Sequence, residues 1–215
     1  MVAAVANEKV WWYLARAGGL TAWWLLAGAV LWGLVLSTRI AKGKVTPAWL
    51  LDLHRMLGGL ALLFTGLHIG AVVADSWVHF GWADVLVPFA SQWRPGATAA
   101  GVLGLYLLLA VELTSLAQRK LPRRLWRAVH ATSFVLFLSV SLHAVLAGAD
   151  AGNLGVRISG GLMLVAFTFL LIYRAAAGVG GARPRPTPAT ASRPQSSPPP
   201  EPASRTEAAA TTPPR

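Results

Sequence analysis

Five stretches of apolar residues recur along the 215-residue chain, and short segments between them hold most of its charge. A membrane-crossing helix needs about 20 such residues. The pattern predicts spans over Leu14–Leu36, Ala48–Val73, Ala97–Ala117, Trp126–Ala147 and Val156–Tyr173. The first apolar stretch is too long for a signal peptide and no clear small-residue cleavage site follows it, so it is expected to stay as a helix. The fold class expected is an all-α integral membrane bundle of about five transmembrane helices.

Polar residues orient this bundle. The segment Ser37–Pro47 carries Arg39, Lys42 and Lys44, and Gln118–Arg127 carries Arg119, Lys120, Arg123, Arg124 and Arg127. With five spans both fall on one side, together with the arginine-bearing C-terminal segment. Positive charge collects in cytoplasmic loops, so the N-terminus is expected outside and the C-terminus inside. The outer side then holds Asp75, Asp84 and Arg94 in one loop and Asp150 and Arg157 in another. Within the first of these, Asp75–Pro95 mixes aromatic and apolar residues without a full span. It is expected at the interface, with Trp77, Trp82 and Trp93 at headgroup depth beside a belt of Trp11, Trp12 and Tyr13.

Composition changes the picture in three places. A net charge of +11 would suggest nucleic acid in a soluble protein. Here the charges lie between and after apolar runs, with 55% hydrophobic and only 13% charged residues, so no nucleic-acid partner is expected. No cysteine is present, which excludes thiolate haem ligation, Cys-held iron–sulfur clusters and covalent c-type haem attachment. From Gly178 onward there is no Leu, Ile, Phe, Tyr or Trp, but ten of the fourteen prolines. That composition predicts two parts: a transmembrane domain over 1–177 and a disordered Pro-rich cytoplasmic tail over 178–215.

Four histidines carry the candidate chemistry. His54 and His68 lie in the second span, His130 and His143 in the fourth. Ionisable groups inside a membrane are rare and usually functional. One such histidine can be explained by packing, but four confined to two spans, two in each, are hard to explain that way. Both spans run from inside to outside. Fourteen residues separate the first pair and thirteen the second, or about 21 and 20 Å at ~1.5 Å per residue. The two helices therefore present histidine at two matching depths.

Facing imidazoles suit bis-His haem b better than zinc, which wants four ligands at one point, or copper and non-haem iron, which bring more ligands to one level. Small residues to admit a flat macrocycle are at hand in Gly58, Gly59, Gly66, Gly70, Ala131, Ala144 and Ala147. One geometric point resists. Fourteen residues return a side chain to within about 40° of its starting direction, whereas thirteen leave it about 140° away. Distortion near Ser139 and Ser141, or different approach angles of the two porphyrins, is expected to accommodate this.

The spacing His-x13-His on one helix and His-x12-His on the next but one resembles the ferric reductase-like transmembrane domain. That family includes ferric reductases, NADPH oxidases and the bacterial haem subunit serving periplasmic methionine sulfoxide reductase. Leu53-His54-Arg55-Met56-Leu57-Gly58 and Trp126-Arg127-Ala128-Val129-His130 look like its ligand-helix openings. Gly81-Trp82-Ala83-Asp84 through Trp93-Arg94-Pro95-Gly96 looks like that of short bacterial members. The resemblance covers roughly Trp11 to Arg174. It implies that His54 with His130 hold an inner haem b and His68 with His143 an outer one, passing electrons outward. The eukaryotic members continue into a flavin- and nicotinamide-binding domain. This chain ends in its Pro-rich segment, and no G-x-G-x-x-G follows a plausible strand. No bound flavin is expected, so a separate flavin reductase or quinol must donate, to an outer-face acceptor such as a ferric chelate, oxygen or a periplasmic reductase.

Other residues are weighed on the same terms. Arg55 and Arg127 are candidates to pair with haem propionates. Arg123 and Arg124 are explained by topology alone. Trp126 is an interfacial anchor or a contact for a flavin donor. Glu112 is expected to pair with an inner-loop arginine, with a proton relay from quinol as the alternative. His79, Arg94 and Arg157 are candidates to shape an acceptor site or bind outer propionates, with simple exposure in a loop the plainer account of His79. The leading expectation is the membrane subunit of an oxidoreductase in a bacterial plasma membrane. Its alternatives are a quinol-linked cytochrome b and, from another class, a haem-free membrane scaffold. No internal repeat or broken helix is evident, which sets a transporter aside.

Overall fold

The computed structural model describes residues 2–38, 47–76 and 78–180. The predicted tail beyond 180, the basic segment 39–46 and Trp77 lie outside the described residues. Seven helices follow in order: α1 (Val2–Thr38), α2 (Pro47–Ala74), α3 (Trp82–Leu86), α4 (Pro95–Leu116), α5 (Arg123–Ala131), α6 (Ser133–Ala147) and α7 (Leu154–Gly180). No strand occurs among the described residues. Five helical segments are long and apolar enough to cross a membrane: Lys9–Thr38, Ala48–Ala74, Pro95–Leu116, Arg123–Ala147 and Leu154–Ala176. The chain is a multi-pass membrane protein. These segments match the predicted five in number and order and exceed most of them by a few residues. That is expected where helices outrun the apolar window that identifies them.

Helix α2 lies antiparallel along α1, and α6 lies antiparallel along α4. Small residues let the first pair approach closely, because no hydrophobic drive joins helices within lipid and packing must do it. A Cβ on Gly18 would stand 3.3 Å from the backbone nitrogen of His68. Ala22, Ala27, Ala29, Ala61 and Ala71 are buried in the same bundle. The core gathers Leu26, Ala27, Val30 and Leu34 of α1 with Ala61, Leu108, Leu136, Phe137 and Phe167. Phe137 meets Phe167 in a tilted pair at 5.0 Å between ring centres and stacks on Trp23 at 6.2 Å. Leu63, Val165 and Phe169 are about two-thirds exposed, as side chains facing lipid would be.

Polar contacts pin the helices at three levels. Arg16 of α1 and Asp150, in the turn before α7, form a two-bond ion pair, with Nε donating to Oδ2 at 3.0 Å. The Arg16 guanidinium also lies 4.3 Å from the Trp12 ring centre. Midway, Trp23 Nε1 donates to Ser141 Oγ at 2.9 Å and Ser139 Oγ to the Ala100 carbonyl at 2.8 Å. At the far end Arg174 donates to Ser37 Oγ at 3.1 Å.

The fourth span is interrupted. Helix α5 stops at Ala131 and α6 begins at Ser133, with Thr132 between them. The Thr132 amide bonds the Val129 carbonyl three residues back, and its Oγ1 donates to that same carbonyl at 2.7 Å. This tightened turn directly follows His130. The helix is re-aimed there and not near Ser139 and Ser141, whose hydroxyls instead tie α6 to α4 and α1.

Phe137→Ala is expected to lower stability by about 2 kcal/mol, because the cavity it leaves forfeits packing contacts. Thermal unfolding in detergent checks this, with Phe169→Ala as a control expected to leave the midpoint within error.

Candidate functional site

The two histidine-bearing helices face one another without packing together. Helix α2 packs on α1 and touches α4, while α6 packs on α4 and α1; no comparable contact joins α2 to α5 or α6. Across that division His54 meets His130 with ring centres 5.9 Å apart, and His68 meets His143 at 6.3 Å. The ring planes are inclined by 68° and 76°. All four rings are half-buried. The break at Thr132 is what lets His130 and His143 both turn toward α2 despite their thirteen-residue separation.

Each imidazole is held from behind by its Nδ1. His54 Nδ1 lies 2.9 Å from the Ala29 carbonyl, His68 Nδ1 2.7 Å from that of Ala15, and His143 Nδ1 2.8 Å from that of Ala97. A carbonyl only accepts, so in each case Nδ1 carries the proton and Nε2 keeps its lone pair. His130 differs, since its Nδ1 lies 3.3 Å from Ser115 Oγ.

Glycines open these carbonyls. A helical carbonyl already accepts the N–H four residues on, and its second lone pair is normally screened by the side chain there. Gly19, Gly33 and Gly101 stand four residues after Ala15, Ala29 and Ala97. A Cβ on Gly19 would lie 2.9 Å from His68 Nδ1, one on Gly33 3.2 Å from His54 Cε1, and one on Gly101 2.8 Å from His143 Nδ1. Sequence reasoning missed all three, having looked for glycines on the histidine helices themselves. Of those, Gly59, Gly66 and Gly70 face open space, while Gly58 lies under Glu112, whose Oε1 would be 2.5 Å from an added Cβ. The available signal was the Ala-x3-Gly spacing repeated on α1 and α4.

The arrangement supplies two nitrogen ligands per level and no more. No group of three or more His, Cys, Asp or Glu is placed to hold a metal ion among the described residues. Imidazole nitrogens bind metals at about 2 Å, so the ring centres of each facing pair, 5.9 and 6.3 Å apart, are close enough for both rings to serve one metal. A metal bound there needs its remaining ligands from a flat chelate, and bis-His haem fits that requirement.

Two orphaned donors mark the same level as His54 and His130. The indole nitrogens of Trp32 and Trp126 are buried without a hydrogen-bond partner among the described residues. Buried tryptophan N–H groups usually find one. Trp32 directly precedes Gly33, and Trp126 stacks on His130 at 5.1 Å and 28°. Trp126 is thus more than the interfacial anchor expected of it. Arg55 is exposed and stands 3.7 Å from Asp52. Arg127 is also exposed and makes no ion pair among the described residues. The ion pair expected between Glu112 and an inner-loop arginine does not form among the described residues, because the carboxylate is turned onto Gly58.

At the other end, a cavity of about 460 Å³ is lined by Val78, His79, Phe80, Asp84, Ser91, Gln92 and Trp93. Of the three residues proposed to shape an acceptor site there, only His79 lines it. Arg94 instead donates to the Leu146 carbonyl at the end of α6. His79, Phe89 and Arg94 all adopt positive φ, at 57°, 67° and 44°. Such backbone is costly for non-glycine residues and clusters at functional segments.

No known protein family, curated protein or solved structure matches the chain.

Gly101→Ala is expected to push the His143 ring off Ala97 and cost about 1–2 kcal/mol for the lost bond. In nitrogen-15 spectra of histidine-labelled protein, His54, His68 and His143 should show the Nδ1–H tautomer, and the variant should lose that signature at His143 alone.

Proposed function

We propose that this chain is a transmembrane electron conduit holding two b-type haems, one between His54 and His130 and one between His68 and His143. The observation that carries the reading is the two facing imidazole pairs, with ring centres 5.9 and 6.3 Å apart. Haem iron, when bound, supplies one-electron redox chemistry. The protein's part is to hold four imidazoles in place through their Nδ1 partners, and to keep water away with apolar helices. Trp32 and Trp126 would donate their unpartnered N–H groups to carboxylates of the ligand held by His54 and His130. Arg55 and Arg127 at the same end would balance its negative charge.

Direction follows from charge. Arg119, Lys120, Arg123, Arg124 and Arg127 gather at the His54/His130 end, so that end would face the cytoplasm of a bacterial cell. Two levels about 21 Å apart along α2 span most of a hydrocarbon core about 30 Å thick. Electrons would enter from a separate flavin reductase at the basic end and leave near the cavity beside His79 and Trp93. Such a path would resemble that of the ferric reductase-like transmembrane domain. A quinol donor is the second reading. It draws on Glu112, a carboxyl without an ion partner among the described residues near the His54/His130 level, since quinol oxidation must release protons.

Protein purified from haem-replete cells should hold two b haems per chain. His68→Ala should lose one and keep most of the other's reduced-minus-oxidised signal. Absence of Soret absorbance, with function intact after replacing all four histidines, would make the chain a haem-free scaffold. Reduction by a flavin reductase with NAD(P)H, insensitive to quinone-site inhibitors, supports the flavin donor; reduction by quinol alone, blocked by those inhibitors and by Glu112→Gln, supports the second reading.

A further inference from the structure

The four histidine seats form a repeat that one residue breaks. Fourteen residues separate Gly19 from Gly33 on α1, and fourteen separate Gly101 from Ser115 on α4. On α1 both positions are glycine, and each opens the carbonyl four residues earlier to a histidine of α2. On α4 Gly101 does the same for His143. The fourth position is Ser115. It lies four residues after Val111 as the glycines lie after Ala15, Ala29 and Ala97. Its side chain occupies the place left clear elsewhere, and its hydroxyl meets His130 Nδ1 at 3.3 Å in place of a carbonyl at 2.7–2.9 Å.

This exchange has a chemical consequence. A carbonyl partner fixes the Nδ1–H tautomer and raises the basicity of Nε2, which favours the more oxidised state of a bound metal. A hydroxyl both donates and accepts, and at 3.3 Å it makes a longer bond than the three carbonyls do. His130 is then the least basic of the four ligands. Resting on the haem reading above, we propose that Ser115 is a positioning residue that sets the His54/His130 centre at a more positive potential than a fourth carbonyl seat would give. Outer-shell hydrogen bonding is among the levers by which a protein tunes a haem, and here the two levels differ in that one feature of their seats.

Ser115→Gly restores the missing opening and exposes the Val111 carbonyl. Thr114 Oγ1 reaches that carbonyl at 3.2 Å but has its shorter bond, 2.7 Å, to Ala110. Potentiometric titration of the purified full chain, followed by the reduced-minus-oxidised spectrum, tests the assignment. In Ser115→Gly one midpoint should move negative by about 59 mV, the equivalent of a tenfold change in relative affinity for the two oxidation states, and the other should stay. The same shift should persist in a His68→Ala background, which keeps only the His54/His130 level. Two haems with both midpoints unmoved would overturn the role of Ser115 and leave the conduit standing. Wild-type protein without haem would overturn the reading beneath it. Should Ser115→Gly bind no haem, Ser115→Thr and Ser115→Ala decide. Thr should keep the wild-type midpoint and Ala should move it; equal midpoints in both overturn the proposal.

Discussion

An imidazole inside a membrane has one N–H to satisfy and no water to satisfy it. In this protein a neighbouring helix supplies the acceptor by leaving a side chain out. Gly19, Gly33 and Gly101 uncover the second lone pair of a carbonyl one turn away, and His68, His54 and His143 each place Nδ1 against it. The bond fixes the tautomer, the ring direction and the closeness of the helix pair together. Much of the bundle follows from it. Helix α2 must lie along α1 and α6 along α4, because the seats are on one helix and the rings on the other.

With Nδ1 engaged in His54, His68 and His143, Nε2 is the nitrogen that keeps its lone pair in those three rings. Across the bundle the imidazoles face in two pairs, with ring centres 5.9 and 6.3 Å apart. Among the described residues neither level gathers a third protein ligand. In the haem reading proposed above, a ligand with its own in-plane donors would complete each level, where α2 and α6 make no direct packing contact.

The two ends of the molecule are built differently. The His54/His130 end carries the arginines, the buried unpartnered indoles of Trp32 and Trp126, and the one hydroxyl seat. Toward the other end, Arg16 is locked to Asp150 and covered by Trp12, and a strained loop encloses a cavity lined by His79, Phe80 and Trp93.

Five spans, their order and the matched depths of four histidines were legible in the sequence, because hydropathy and rise per residue are local properties of a helix. What Glu112 meets, and how the angular mismatch of His130 and His143 is relieved, were not. Both depend on neighbours: Gly58 receives the carboxylate, and Thr132 breaks the fourth span just after His130. The glycine seats lay in plain view as Ala-x3-Gly. Their meaning required a partner helix, since a missing side chain becomes a binding surface only when something is packed against it. What the sequence by itself determined was therefore which residues stand at which depth. Which atoms they turn toward one another was decided by tertiary structure, because hydrogen bonds between helices fix the rotation of each helix, and no one-dimensional pattern carries that angle.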